Sequence, residues 1–248
     1  MGCGNGGLQW KDVRVLIEAA FRNSDIAVSV YEPVATYMAE PKKTGVEELT
    51  PARALLVEAI RRYWVLGLGC TNLEVQKLAW FLQRCSAVLG IEDTLQLRFT
   101  PNRYGPYADN LRHLLDNLDG GYLKCTKRLS DAGPNDTIWF NPEFREKLEQ
   151  YLGSEQFAPY KPVLDLTTRI IDGFESPLGM EVLATIDWTL EHSHDHIVNA
   201  EDFRKALLQW PAGAAAAQRK MRLFGDRILQ LGLDRVLHVL ASKSEVPV

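Results

Sequence analysis

The placement of prolines limits this chain more than any other feature, because proline lacks an amide hydrogen and opens or ends helices rather than sitting inside them. Pro51 follows Thr50, an N-cap residue, and opens a helix that runs to about residue 67. From Pro142 to about residue 242 the chain reads as helices separated by Pro159, Pro177 and Pro211. Between these, Thr71 with Glu74 three residues on is a capping box. The helix it opens carries Leu78, Phe81, Leu82 and Cys85 on one side. Residues 10–22 form an amphipathic helix, with Val13, Leu16, Ile17, Ala20 and Phe21 at helical spacing. Residues 26–31 read as a short strand stopped by Glu32-Pro33, and residues 95–99 alternate like a strand. Residues 101–105 read as a turn, and Pro106 opens a helix to residue 118 that Asp119-Gly120-Gly121 ends. Residues 122–126 and 137–140 predict a β-ribbon around a polar loop. A polar stretch with Pro41, Lys42, Lys43 and Gly45 predicts a linker, dividing the chain into 1–45 and 46–248.

The expected fold is therefore α+β and mostly helical. A winged-helix-like core with a small β-ribbon precedes a helical C-terminal half. With 46% apolar residues the chain can bury a core, and no apolar run approaches membrane-helix length. No signal peptide opens it. The cysteines Cys3, Cys70, Cys85 and Cys125 form no CxxC pair. A reducing cytoplasm is expected, with no membrane partner and no cofactor. The net charge of −4 argues against a generic nucleic-acid binder.

Gly2-Cys3-Gly4-Asn5-Gly6-Gly7 is the sharpest local signal. Glycines let backbone amides crowd around a phosphate, and the following helix adds its positive end. The run matches G-x-G-x-x-G, but no strand precedes it, so a Rossmann reading fails. With Leu8, Gln9, Trp10, the helix and the strand ending Tyr31-Glu32-Pro33, it resembles the last loop, helix and strand of an ADP-ribose-binding macrodomain. The subgroup it resembles is the one that removes ADP-ribose from DNA in DarT–DarG toxin–antitoxin systems. The resemblance implies that Gly2, Cys3, Gly4, Asn5, Gly6 and Gly7 belong to an ADP-ribose loop. It also implies that the remaining site, with its catalytic lysine, lies before Met1. The expectation is thus an incomplete site and no enzyme, with ADP-ribose bound only by a full macrodomain.

A second constellation joins residues 73–83, the segment Leu97-Arg98-Phe99, and residues 102–111 containing Arg103-Tyr104-Gly105-Pro106-Tyr107. It resembles the carboxy-terminal domain of DarG-type antitoxins, as do residues 176–188, Trp210 and residues 219–224. The run 211–217 departs from that pattern. The resemblance implies a partner, a DarT-type DNA ADP-ribosyltransferase toxin, inhibited by occupation of its single-stranded-DNA site. Arg103, Tyr104, Tyr107, Asp109 and Asp116 are the candidate partner contacts, the acids standing in for phosphates. Read without a family, the Tyr-Gly-Pro-Tyr corner is either a structural lock or a recognition surface.

Two alternatives stand beside this. A winged-helix-like DNA-binding transcriptional regulator would use the helix after Pro106, but residues 107–119 carry Arg112 against Asp109, Asp116 and Asp119. No direct nucleic-acid binding is therefore expected. The second is a fragment of an ADP-ribosyl-DNA hydrolase, inactive as truncated. The most basic stretch, residues 214–243, is either a solvated face or a partner or phosphate patch. His192-Ser193-His194-Asp195-His196 does not fit the HxHxDH metal pattern, and no metal site is assigned.

Overall fold

A computed structural model of the chain describes residues 10–22, 28, 48–66, 69–193 and 196–241. The chain divides into two compact units at Lys42/Lys43. In the first, α1 (Trp10–Phe21) has no buried residue, and an Arg14–Glu18 pair one turn apart lies on its exposed surface. The strand expected at 26–31 and the glycine run at 2–7 lie outside the described residues.

The second unit is built around two helices buried on nearly every face, one over residues 72–89 and one over residues 177–192. α2 (Pro51–Leu66) starts at Thr50-Pro51, and α3 (Asn72–Leu89) starts at a complete Thr71–Glu74 capping box. The other amides of the first turn of α3 are also satisfied: Asn72 N–H donates to Asp136 O and Leu73 N–H to Pro134 O, both at 3.0 Å. Gly90, in the left-handed conformation, ends the helix. α3 packs on α2, α6 (Lys161–Ile171) and α7 (Pro177–His192), the second buried helix. α7 in turn carries α8 (Ala200–Leu207) and α10 (Asp226–Ala241), and α9 (Ala214–Leu223) packs on α8. Such all-round burial needs apolar residues on every face, and the polar ones inside must find partners.

Two small antiparallel ribbons complete the unit. β1 (Phe99–Asn102) pairs with β2 (Gly105–Ala108), and after α4 (Leu111–Leu118) β3 (Leu123–Cys125) pairs with β4 (Ile138–Phe140). α5 (Arg145–Leu152) follows, reached through a 3-10 turn. The second ribbon lies within the segments 122–126 and 137–140 expected from sequence, and Ile138 N–H ties it to Cys70 O at 2.7 Å.

The first ribbon corrects the sequence reading. Pro106 does not open a helix; it faces Pro101 across a hairpin whose turn passes through Gly105 at φ 92°. Two prolines can face each other there because neither supplies an amide hydrogen to the ladder. The strand expected over 95–99 is displaced, starting only at Phe99. Gln96 sits at φ 48°, and Leu97 pairs with a side chain instead of a strand. Among the described residues no helix is long and apolar enough to cross a membrane. Cys70, Cys85 and Cys125 are buried, and burial pushes the Cys85 thiol up to about 12.

Candidate functional site

The site grows from one face of α3. Gln76 and Gln83 lie two turns apart on that helix and each clamps an extended backbone with both ends of its amide. Gln76 accepts from Ala108 N–H at 2.9 Å and donates to Ala108 O at 3.1 Å. Gln83 does the same to Leu97, both at 3.0 Å. A glutamine here does the work of a neighbouring strand, which is how so short a hairpin is held. Gln76→Ala would leave the buried N–H and C=O of Ala108 unpaired; we expect a loss of about 2 kcal/mol in urea unfolding.

Next to Gln76, Lys77 is buried and donates from Nζ to Pro106 O at 2.7 Å. A Cβ at Gly105 would stand 3.3 Å from Lys77 Cε and 3.2 Å from Thr185 Oγ1, so glycine lets the hairpin turn close over the lysine. On α7, buried Glu181 accepts from Arg219 at 2.6 Å and from Lys220 Nζ at 2.8 Å. Lys220 is fully buried, 5.0 Å from the Trp210 ring centre and 5.4 Å from that of Phe224. Trp210 donates from Nε1 to Asn102 O at 3.0 Å, fastening the segment before α9 to the hairpin. The Tyr104 ring is flanked by the guanidinium groups of Arg103 at 5.4 Å and Arg219 at 4.6 Å.

Burial pushes Lys77 down to about 7, and the like charge of Lys220 adds to this against the pull of Glu181. Lys220 is also pushed down, chiefly by burial, with Glu181 opposing. Because the folded value of Lys77 lies below the unfolded 10.5, the unfolded chain holds more protons between these values. Stability is therefore expected to rise as pH is raised from about 7 towards 10, and Lys77→Met is expected to flatten that rise. Urea midpoints at three pH values check it.

Two concavities adjoin Tyr104. One, of 280 Å³, is walled by Asn72, Gln76, Lys77, Tyr104 and Tyr107, with no carboxylate in its lining. Asn72 donates from Nδ2 to Ala132 O at 2.7 Å, while its buried Oδ1 has no hydrogen-bond partner. The other, of 850 Å³, is an open groove lined by Arg103, Arg219 and Arg222, again without a carboxylate.

A second polar cluster lies further along α3 and α7. Trp80 Nε1 donates to Asp187 Oδ2 at 2.9 Å, and Arg84 approaches Asp187 Oδ1 at 3.3 Å. Burial pushes Asp187 up to about 6, with Arg84 opposing. His192 stacks on Trp188 at 4.0 Å between ring centres, while His194 lies outside the described residues. Among the described residues no three metal-ligating side chains gather.

Of the expected contact residues, Arg103, Tyr104 and Tyr107 come together around these concavities, and Tyr107 is exposed. Asp109 instead pairs with Arg112 at 3.4 Å, and Asp116 on α4 lines neither concavity. Gly2, Cys3, Gly4, Asn5, Gly6 and Gly7 lie outside the described residues. Sequence reasoning missed the roles of Lys77, Glu181 and Lys220. The available signal was a charge inside runs that are otherwise apolar on every face, as in Met180-Glu181-Val182-Leu183.

The site thus defines a mostly helical unit with an aromatic pocket beside an arginine-lined groove. No protein-family model matches the chain. Curated relatives do. A DNA ADP-ribosyl glycohydrolase from Mycobacterium tuberculosis is 32% identical over 96% of this chain, and one from Mycobacterium bovis matches to the same extent. One from Thermus aquaticus is 34% identical over 95% of it. The matched region makes up 66% of the mycobacterial proteins and 63% of the Thermus protein, so this chain spans a little under two thirds of their length. These relatives overturn the expectation of a non-enzymatic, toxin-neutralising antitoxin domain behind a macrodomain remnant. They are named as hydrolases, and the likeness runs through both compact units rather than stopping at either.

Proposed function

We propose that this chain acts in a DNA ADP-ribosyl glycohydrolase, hydrolysing the glycosidic bond that joins ADP-ribose to DNA and restoring the unmodified strand. The observation that carries the reading is the 32–34% identity with three proteins of that name over 95–96% of the chain. In this reading the amides of Gly2, Gly4, Gly6 and Gly7 receive the pyrophosphate of ADP-ribose, since glycine alone lets successive N–H groups approach a phosphate so closely.

The test is the mass of an ADP-ribosylated oligonucleotide incubated with the protein. The expected result is loss of one ADP-ribose and recovery of the unmodified oligonucleotide. Gly4→Val, which places a branched side chain in the amide cradle, is expected to abolish release. Retained release in that variant would sink the role of the glycine loop, and no release by the wild type would sink the activity.

A further inference from the structure

We propose that the hairpin pocket and the arginine groove beside it form a track for single-stranded DNA, with phosphates on Arg103 and Arg222 and an unmodified base in the pocket between Tyr104 and Tyr107. The inference rests on the DNA-directed reading above and deepens it, by naming where the strand is held. It differs from the expectation from sequence that nucleic acid is not contacted directly, and the experiment below decides between the two.

Charge is the first ground. The chain is acidic overall, at −4, yet neither concavity has a carboxylate in its lining. Arg103 and Arg222 are exposed, and neither forms an ion pair with a carboxylate among the described residues. Arg219 is different: Glu181 holds it, so its part is to orient the Tyr104 ring. Arginine on the surface without a carboxylate partner, facing a groove, is what a phosphate chain needs.

Shape and chemistry of the pocket are the second ground. An aromatic face beside a cationic groove is the arrangement by which single strands are bound, the bases stacking while the phosphates follow the charge. Tyr104 belongs to both parts, lining the pocket and stacking against two guanidinium groups that line the groove. Tyr107, 37% exposed, supplies a second ring. The third ground is the polar wall of the pocket, where Asn72 and Asn102 stand in the lining with the two tyrosines. The edge of an unpaired base carries donors and acceptors that such carboxamides can meet. A base within a duplex presents neither a free face nor that edge, so the track discriminates for single strands.

The experiment is fluorescence polarisation of a fluorescein-labelled, unmodified oligothymidylate titrated with the whole chain at low salt. Saturable binding is expected, and the same sequence in a duplex is expected to bind more weakly. Combined Arg103→Glu and Arg222→Glu substitution is expected to weaken binding about tenfold or more and to make the salt dependence shallower by about 1.4 units of log–log slope, about 0.7 for each lost phosphate contact. Tyr107→Ala is expected to weaken it about tenfold through lost stacking. Arg227→Glu, exposed but outside the groove, is expected to change binding less than about twofold. All the substituted side chains are exposed, and circular dichroism confirms that each variant is folded. Undiminished binding by the folded variants, no saturable binding by the wild type, or equal binding of duplex would each overturn the track. Because the probe carries no ADP-ribose, the two readings fail separately. Release of ADP-ribose with unaltered binding by the variants overturns the track alone, and variant-sensitive binding without release overturns the activity alone.

Discussion

Replacing Glu181 with glutamine is expected to destabilise the protein by about 3–5 kcal/mol. Glu181 is the carboxylate that holds Lys220 at 2.8 Å and Arg219 at 2.6 Å, and Lys220 has no exposure to water. Removing one partner of a buried pair leaves the other charge without compensation, which costs far more than the pair contributes. The amine can escape part of this by losing its proton, and Lys220 is already pushed in that direction by burial. The loss is therefore expected to shrink as pH is raised towards 10. Pairing Glu181→Gln with Lys220→Met is expected to cost less than the sum of the single changes, because the stranded charge has gone. Urea unfolding of the three variants measures this directly. A Glu181→Gln effect below about 1 kcal/mol would mean that another group neutralises the lysine.

Gly179→Ala is the second large effect, expected at about 3 kcal/mol. A Cβ there would lie 2.4 Å from the carbonyl oxygen of Phe174 and 3.0 Å from the Ser176 hydroxyl oxygen. Backbone cannot yield as a side-chain tip can. The first turn of α7 must therefore move off the 174–176 segment, weakening the bond by which Gly179 N–H donates to the Ser176 cap at 3.1 Å. Because α7 also carries Glu181 and Thr185, the change is expected to loosen the hairpin pocket as well as lower the melting temperature. Gly225→Ala, where an added Cβ meets nothing within 4 Å, is the control and is expected to stay within about 0.5 kcal/mol of the wild type.

These effects show which parts of the molecule a reader of the sequence can and cannot reach. The start of α3 was legible because a capping box is a local device: Thr71 and Glu74 satisfy each other within one turn. The ribbon Leu123–Cys125 with Ile138–Phe140 was legible because its two segments lie close in sequence on either side of a polar loop. Gly105-Pro106 misled because the same dipeptide suits a helix start and a hairpin. What decides between them is the amide of Gln76 and the amine of Lys77, about thirty residues earlier in the chain. No window around Pro106 contains them.

The candidate site was half legible for the same reason. Arg103, Tyr104 and Tyr107 announced themselves as a cluster of binding-type residues in one short segment. That Arg219 and Arg222 join them across the fold, and that Asp109 is instead turned to Arg112, is tertiary information. The acidic net charge averages over the whole surface and does not report the few side chains that line one groove.

The most direct measurement of the account as a whole is turnover on an ADP-ribosylated oligonucleotide in large excess over the protein, followed by free ADP-ribose released with time. The account predicts many molecules of ADP-ribose released per molecule of protein, with the unmodified oligonucleotide recovered in equal amount. A folded protein that releases none, in the presence of an intact substrate, would contradict it.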